Sequence, residues 1–321
     1  MIEEHETHKV QDATKIQTYM ACPRLYFYEY VLGWRNELPS LHLEFGTAWH
    51  LAMEQMLTHG LNAEACLAAY EAFEGHYRQH FDMTWDEGNA PKNPANVLRA
   101  LPQYCVHYNE EDKDMEVLHI EVAGSVPIDA DKHIYFKTDT ICRGPEGIFS
   151  LEHKTGSRFS TTWANQWRQK MQVGVYTHVL YSMYDERDVF GVKINGAFFS
   201  NPPKIKKDGT PYAGARDNEF MRLPLRRSLE SMDSWLVEVN HWYDSIQDDF
   251  SKLASVKESD DVMKAFPRNT ESCTRYGQCP FLDYCSGWHN PLQHIDEPPL
   301  GYHVQMWDPR GLEHVRKIME L

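Results

Sequence analysis

The stretch FSLEHKTG, from Phe149 to Gly156, sets Glu152 and Lys154 two positions apart. In a strand, residues at that spacing share a face, while Leu151 and His153 project from the other. A carboxylate beside an ammonium suits a divalent cation and a developing negative charge, so the pair is a candidate reacting centre. The same residues would also serve as the solvated edge of a surface strand, and spacing alone leaves both readings open. A second carboxylate adds to the first reading. The preceding strand, HIYFKTDTIC, is joined to this one by RGPEGI, short enough for a hairpin. Pro145 cannot take the positive φ that a two-residue primed turn asks of its first central position. A four-residue loop, Gly144 to Gly147 with Gly147 left-handed, is therefore expected. That loop places Asp139 opposite Glu152 and gathers Phe136, Cys142, Phe149 and Leu151 on the other, apolar face. A three-residue loop would send Asp139 to the wrong side. Facing carboxylates at a Cβ separation of about 5 Å repel unless something neutralises them. Mg²⁺ or Mn²⁺ would do so, with Lys154 orienting a water beside it.

These residues need elements to hold them. Helical periodicity dominates the first third. ATKIQTYMACPRLYFYEYVLG opens on a possible capping box, Thr14 with Gln17, and ends at Gly33. A second helix is expected from about Glu44 to His59, with Phe45, Trp49, Ala52 and Met56 as its apolar stripe and His50 at the stripe's edge. A third covers NAEACLAAYEAFEGHYRQHF, and a fourth, NPANVLRALPQYCVHYNEE, is expected to be interrupted at Pro102. Period-two patterning follows in EVLHIEVAGSVPI, HIYFKTDTIC and GIFSLEHK. A helix from about Trp163 to Tyr184 would stack Gln172 and Tyr176, four apart, on one face. Strands are expected around DVFGVKINGAFFS and YAGARDNEFMRLPL, then a long amphipathic helix from about Ser228 to Leu253. A cysteine-bearing loop and a Pro-rich polar tail come last. Helices flanking one sheet of about five strands give an α/β or α+β domain.

The 321 residues suffice for one large domain or two small ones, and 42% hydrophobic with 12% aromatic residues supports a packed core. No apolar run approaches a bilayer span, and MIEEHETHKV is too acidic for a signal peptide, so a cytoplasmic location is expected, with no membrane partner. There, seven cysteines would be thiols or metal ligands rather than disulfides. A net charge of −15 speaks against a nonspecific grip on nucleic acid, although carboxylates that hold cations contribute to it. Basic residues do cluster locally, as Lys204, Lys206 and Lys207 and as Arg222, Arg226 and Arg227. Each cluster reads equally as solvated loop charge or as a phosphate-facing surface. No GxxxxGK[ST] phosphate loop is present, so any helicase would be a separate chain.

Asp139 followed by Glu152-x-Lys154 resembles the D…ExK core of the PD-(D/E)XK nuclease superfamily. Upstream, FGTAWH gives Gly46-x3-His50, similar to the GxxxH motif of its RecB-like branch. Downstream, QVGVY gives Gln172-x3-Tyr176, similar to that branch's QxxxY. Cys22, with Cys273, Cys279 and Cys285 near the other end, resembles the cysteine set of iron–sulfur members, such as CRISPR adaptation nucleases, AddB-type subunits and phage exonucleases. The late spacing is C-x5-C-x5-C, departing from the tighter C-x2-C-x5-C of many relatives. Pro23 and Pro280 each follow a ligand candidate, as prolines do at such sites.

The resemblance implies a restriction-endonuclease-like core with a central mixed sheet. It also implies a metal-dependent deoxyribonuclease, with exonuclease favoured over endonuclease and DNA ends as substrate. Asp139, Glu152, His50 and the carbonyl of His153 would hold Mg²⁺ or Mn²⁺; Lys154 would be catalytic, with Gln172 and Tyr176 orienting it or touching DNA. Cys22, Cys273, Cys279 and Cys285 would hold a 4Fe–4S cluster, with Zn²⁺ the alternative, because a set of four thiolates suits both. Arg24 and the lysines Lys204, Lys206 and Lys207 are candidate phosphate contacts. One nuclease domain over 1–290 is expected: helices at about 12–112, a catalytic core at about 115–225, a helix and cysteine segment at about 228–287, then a tail at 291–321. A separate helicase or recombinase would be a partner, in a bacterial or phage-infected cell, with recombination or repair as settings. The competing reading is a nuclease fold that binds DNA ends or proteins without cutting.

Overall fold

Pro145 and Glu146 turn the chain between two long strands, and this hairpin is the frame on which the polar residues are displayed. A computed structural model describes residues 2, 4–208, 210, 212–274 and 278–310, and the backbone of 316 and 317. In chain order the helices begin with α1 (Ala13–Ala21) and the short α2 (Pro23–Tyr26), which runs into a π-helical turn at Phe27–Val31. Next come β1 (Trp34–Asn36), α3 (Leu41–His59), α4 (Ala63–His80), α5 (Asp86–Asn89) and α6 (Pro94–Tyr108). The strands β2 (Glu116–Pro127), β3 (His133–Gly144) and β4 (Gly147–Gly156) follow, then α7 (Thr161–Asn165) and α8 (Met171–Met183). The chain continues with β5 (Val189–Phe198), β6 (Glu219–Leu225), α9 (Leu229–Leu253), α10 (Leu282–Gly287), β7 (Tyr302–Val304) and β8 (Arg316–Lys317).

Five strands form a mixed sheet in the order β6-β5-β4-β3-β2, with the two residues of β8 beyond β2. β4 runs antiparallel to β3 and parallel to β5, and β6 is antiparallel to β5. This is the α+β architecture expected. Gly144 pairs with Gly147, so the turn itself is two residues, one pair tighter than expected. The strain falls on Gly147 (φ 121°) rather than on Pro145. Because the loop shortens by a full pair, the register is unchanged: Thr140 faces Leu151 and Cys142 faces Phe149. Between β4 and β5 one extra residue, Phe190, is inserted where Ile148 pairs Val189 and Phe149 pairs Gly191. Gly191 takes φ 133° there.

The chain divides into two compact units. One comprises 1–38, 123–137 and 228–321; the other comprises 39–122 and 138–227. In the second, α3, α4 and α6 bury Phe45, Trp49, Phe73, Tyr77 and Tyr104 with Phe199 and Phe220. A separate cluster holds Cys142, Phe149 and Leu151 against Leu57 and Val117, three of the four apolar-face residues anticipated for the hairpin. In the first, Tyr19, Tyr26, Phe27 and Phe250 surround Phe266.

Five details differ from the sequence expectation. The first helix is capped by Asp12, which accepts from the Lys15 amide, rather than by Thr14. It breaks at Cys22, whose backbone is extended because Pro23 disfavours helix in the residue before it. Pro102 lies exposed inside an unbroken α6, on the face where water can serve the carbonyl it orphans. The segment 163–184 is two helices with a break between them, and only Glu219–Leu225 of the last strand forms.

Candidate active site

β3, β4, α3 and α8 each deliver one or two polar side chains to a single buried place. Asp139 lies in β3 one residue before Thr140, where the ladder with β4 ends, and its carboxylate is fully engaged. Oδ2 accepts from the His153 amide at 2.8 Å, and Oδ1 lies 3.1 Å from His50 Nδ1 on α3. Glu152 is 2% exposed. Its Oε1 accepts from Lys154 Nζ at 2.5 Å and from Gln172 Nε2 at 3.1 Å. The same Gln172 nitrogen donates to the Tyr176 hydroxyl at 2.8 Å, one helical turn on along α8. The residues singled out by spacing thus form two hydrogen-bonded groups, one around each carboxylate.

The two carboxylates are driven apart electrostatically. Burial raises the pKa of Asp139, but the charge and hydrogen bond of His50, then His153 and Lys154, outweigh it and hold Asp139 well below the usual carboxylate range. Glu152 is pushed up to about 7 by burial and by the charge of Asp139, against the pull of Lys154 and His50. Burial pulls both His50 and Lys154 down, yet their carboxylate neighbours raise them on balance. Two carboxyl groups with opposed environments are a recurring mark of sites that handle charge or protons.

The donor set fits a divalent cation. Glu152 Oε2 is buried with no hydrogen-bond partner among the described residues. An anionic oxygen left bare in a protein interior is costly unless a positive charge meets it.

Sequence reasoning missed the support beneath His153. Its ring is buried, and burial lowers its pKa to about 3, so it is neutral at physiological pH. Asn195 Nδ2 lies 2.9 Å from its Nδ1 and 2.7 Å from the Tyr104 hydroxyl. Asn195 is the direct partner of His153 in the parallel ladder. The signal was one asparagine within the apolar run of β5, since a buried amide in a sheet demands partners. Trp167 was likewise missed; Lys154 Nζ and Lys170 Nζ stand 5.7 and 5.9 Å from its ring centre.

The candidate phosphate contacts divide. Lys204, Lys206 and Lys207 are exposed on the β5–β6 connection. Arg24 is not: it is 3% exposed, and its Nε donates to the Phe266 carbonyl at 3.0 Å. Its bond to that carbonyl holds it inward, contrary to the surface role expected of it. Arg222 pairs with Asp112 and lies 4.1 Å from the Tyr108 ring centre, and Arg227 donates to the Lys170 carbonyl, so both are internal ties.

In the other unit, the break at Cys22 and the turn before Cys273 meet. The Asn269 amide donates to Cys22 Sγ at 3.4 Å, and Ser272 Oγ donates to the Ala21 carbonyl at 2.6 Å. Burial raises the Cys279 thiol against a hydrogen bond from the Phe281 amide, and Cys22, Cys273 and Cys285 raise it further. Burial also raises Cys285, while Arg268 and Arg24 pull it down. Cys66 and Cys105 lie apart from this set, their sulfurs 3.2 Å from one another.

A family model described as the PD-(D/E)XK nuclease superfamily matches residues 13–286. No curated protein matches the chain significantly.

Proposed function

The chain belongs to the PD-(D/E)XK nuclease superfamily, and from that premise we propose that it is a Mg²⁺- or Mn²⁺-dependent deoxyribonuclease acting at DNA ends, with an iron–sulfur cluster at its four terminal-segment cysteines. The observation that carries the catalytic part is the bare, buried Oε2 of Glu152 beside the ionised Asp139. Asp139, Glu152 and His50, with the carbonyl of His153, would hold the ion. When bound, it would acidify a water and polarise the scissile phosphate.

The chain's own residues do the rest. Lys154 lies next to Glu152 with its side chain 24% exposed, so its ammonium can reach a phosphate oxygen at the surface of the site and offset charge there. Gln172 fixes the rotamer of Glu152, and Tyr176 fixes Gln172, so the carboxylate meets its ligand already oriented. Asp139 binds the His153 amide, which locks the end of the hairpin and aims the adjoining carbonyl. Neutral His153, held by Asn195, adds no charge to compete with a cation. Lys204, Lys206 and Lys207 are exposed and offered to a DNA backbone.

Cys22, Cys273, Cys279 and Cys285 would hold the cluster.

The test is cleavage of end-labelled single- and double-stranded DNA and of a covalently closed circle, with Mn²⁺ and with EDTA. Metal-dependent loss of linear strands with the closed circle spared is the expected result. Cutting of the circle would overturn end-dependence, and DNA binding without cleavage would overturn catalysis.

A further inference from the structure

α3 and α4 form an antiparallel helical hairpin around the short connection Gly60–Asn62. In such a hairpin, residues equally far from the turn lie side by side. Glu44 stands 17 residues before Leu61, and position 78, midway between His76 and His80, stands 17 residues after it. His76 and His80 are four apart, so both rings leave α4 on the same face. The fold thus brings two imidazoles and a carboxylate from different helices to one place.

There, both histidines address one atom. His76 Nε2 lies 3.0 Å and His80 Nε2 3.2 Å from Glu44 Oε2, with the ring centres 5.1 Å apart. Among the described residues, this is the trio of His, Cys, Asp or Glu donors whose atoms all fall within 4.8 Å of one another. A tetrahedral ion with bonds of about 2.05 Å has edges of roughly 3.3 Å, close to both separations. The side chains are 23%, 19% and 32% exposed for Glu44, His76 and His80, so a fourth position is open to water.

Helix dipoles account for only part of this geometry. Glu44 lies in the first turn of α3 and His80 in the last turn of α4, where a carboxylate and an imidazole each favour the local helix dipole. That explains each charge on its own helix but not two Nε2 atoms converging on a single oxygen. One carboxylate oxygen can accept from both imidazoles, so a hydrogen-bonded triad is the alternative that the titration below decides.

We propose that Glu44, His76 and His80 bind one imidazole-preferring divalent ion of the Zn²⁺ class, joining α3 to α4. The donor chemistry excludes Mg²⁺ as the preferred occupant, because two nitrogen ligands suit Zn²⁺, Co²⁺ or Ni²⁺. The site is separate from Asp139 and Glu152 and does not depend on the nuclease reading. Its location has a consequence for α3: Glu44 precedes His50 by six residues, about 9 Å of helix rise. An ion there would fix the same rod that carries His50.

The experiment uses the full chain, stripped of loosely held ions and titrated with Zn²⁺ by calorimetry, then with Co²⁺ by visible absorption. Wild type is expected to take up one equivalent more than the His76→Ala/His80→Ala variant. It should also show a Co²⁺ d–d band without thiolate charge transfer, and the variant should lack that band. Zn²⁺ should raise the melting temperature of the wild type by more than that of the variant. Glu44→Gln keeps an acceptor for both rings but removes the charge; it guards against a variant that fails to fold and should lose the same equivalent at micromolar Zn²⁺. Equal stoichiometry in wild type, the double variant and Glu44→Gln would overturn the proposal, as would a Co²⁺ spectrum unchanged by all three substitutions.

Discussion

Replacing Glu152 by Gln separates what this side chain does for the reaction from what it costs the fold. In the metal-free protein the carboxyl is 2% exposed and its pKa is pushed up to about 7 from an ordinary 4.5, by burial first and the charge of Asp139 second. Below pH 4.5 it is protonated whether the chain is folded or unfolded, and no penalty arises. Above pH 7 it is ionised in both states and the penalty is complete, so stability falls as pH rises between these values. At about 1.4 kcal/mol per pH unit, the penalty is on the order of 3 kcal/mol at pH 8. Glutamine stays neutral and can still accept from Lys154 and Gln172. The variant should therefore melt higher than wild type in EDTA at pH 8, by about 5 °C for a chain of 321 residues. At pH 4.5 the difference should vanish. Mn²⁺ should raise the wild-type melting temperature and leave the variant unmoved. Loss of a ligand to a charge-stabilising ion should lower cleavage by roughly 10³-fold or more, the equivalent of several kcal/mol. The assays are calorimetry across pH 4.5–8 with EDTA or Mn²⁺, and initial rates on end-labelled DNA. A variant that melts below wild type at pH 8, or that still cuts, would refute the reasoning.

Two further outcomes are expected. Cys279→Ala should yield protein without the brown colour and visible absorbance of an iron–sulfur cluster and with a lower melting temperature; a colourless wild type containing zinc would contradict the cluster assignment. His8 is 4% exposed, stacks on Phe250 and meets the Val31 carbonyl at 3.1 Å, and burial above all lowers its pKa to about 4. Because the unfolded chain binds that proton up to about pH 6.5, wild-type stability should fall by up to about 3 kcal/mol as pH drops from 6.5 to 4. His8→Gln should flatten that slope in urea titrations, and identical slopes would contradict the assignment.

The hairpin was legible because two independent constraints agreed on it. Burying Cys142, Phe149 and Leu151 on one face and turning at Gly-Pro-Glu-Gly both demanded the same register. The turn is one pair tighter than expected because the objection holds only for primed turns, which need a positive φ at Pro145; here the positive φ falls on Gly147, after the turn. The helices carrying His50, Gln172 and Tyr176 announced themselves by period, which fixes direction but not depth. That gap explains Arg24 and Arg222. A basic residue in sequence looks exposed until its partners, the Phe266 carbonyl in one case and the Tyr108 ring in the other, show that it lies inside. Asn195 and Tyr104 escaped for a different reason. Asn195 joins Tyr104 across 91 positions and His153 across 42, and no local pattern records such a pairing.

The two units also differ in when the ribosome finishes them. Every residue of the candidate active site, from His50 to Tyr176, lies in the unit formed by 39–122 and 138–227, whereas the other unit draws on both ends of the chain. Cys273 follows Tyr176 by 97 residues, about 5–20 s of synthesis at ordinary translation rates. The carboxylates and their histidine therefore have time to assemble while the late cysteines are still untranslated. Under the proposed cluster assignment, loading of the cysteines would be a closing step, made on a chain whose candidate reacting groups are already synthesised.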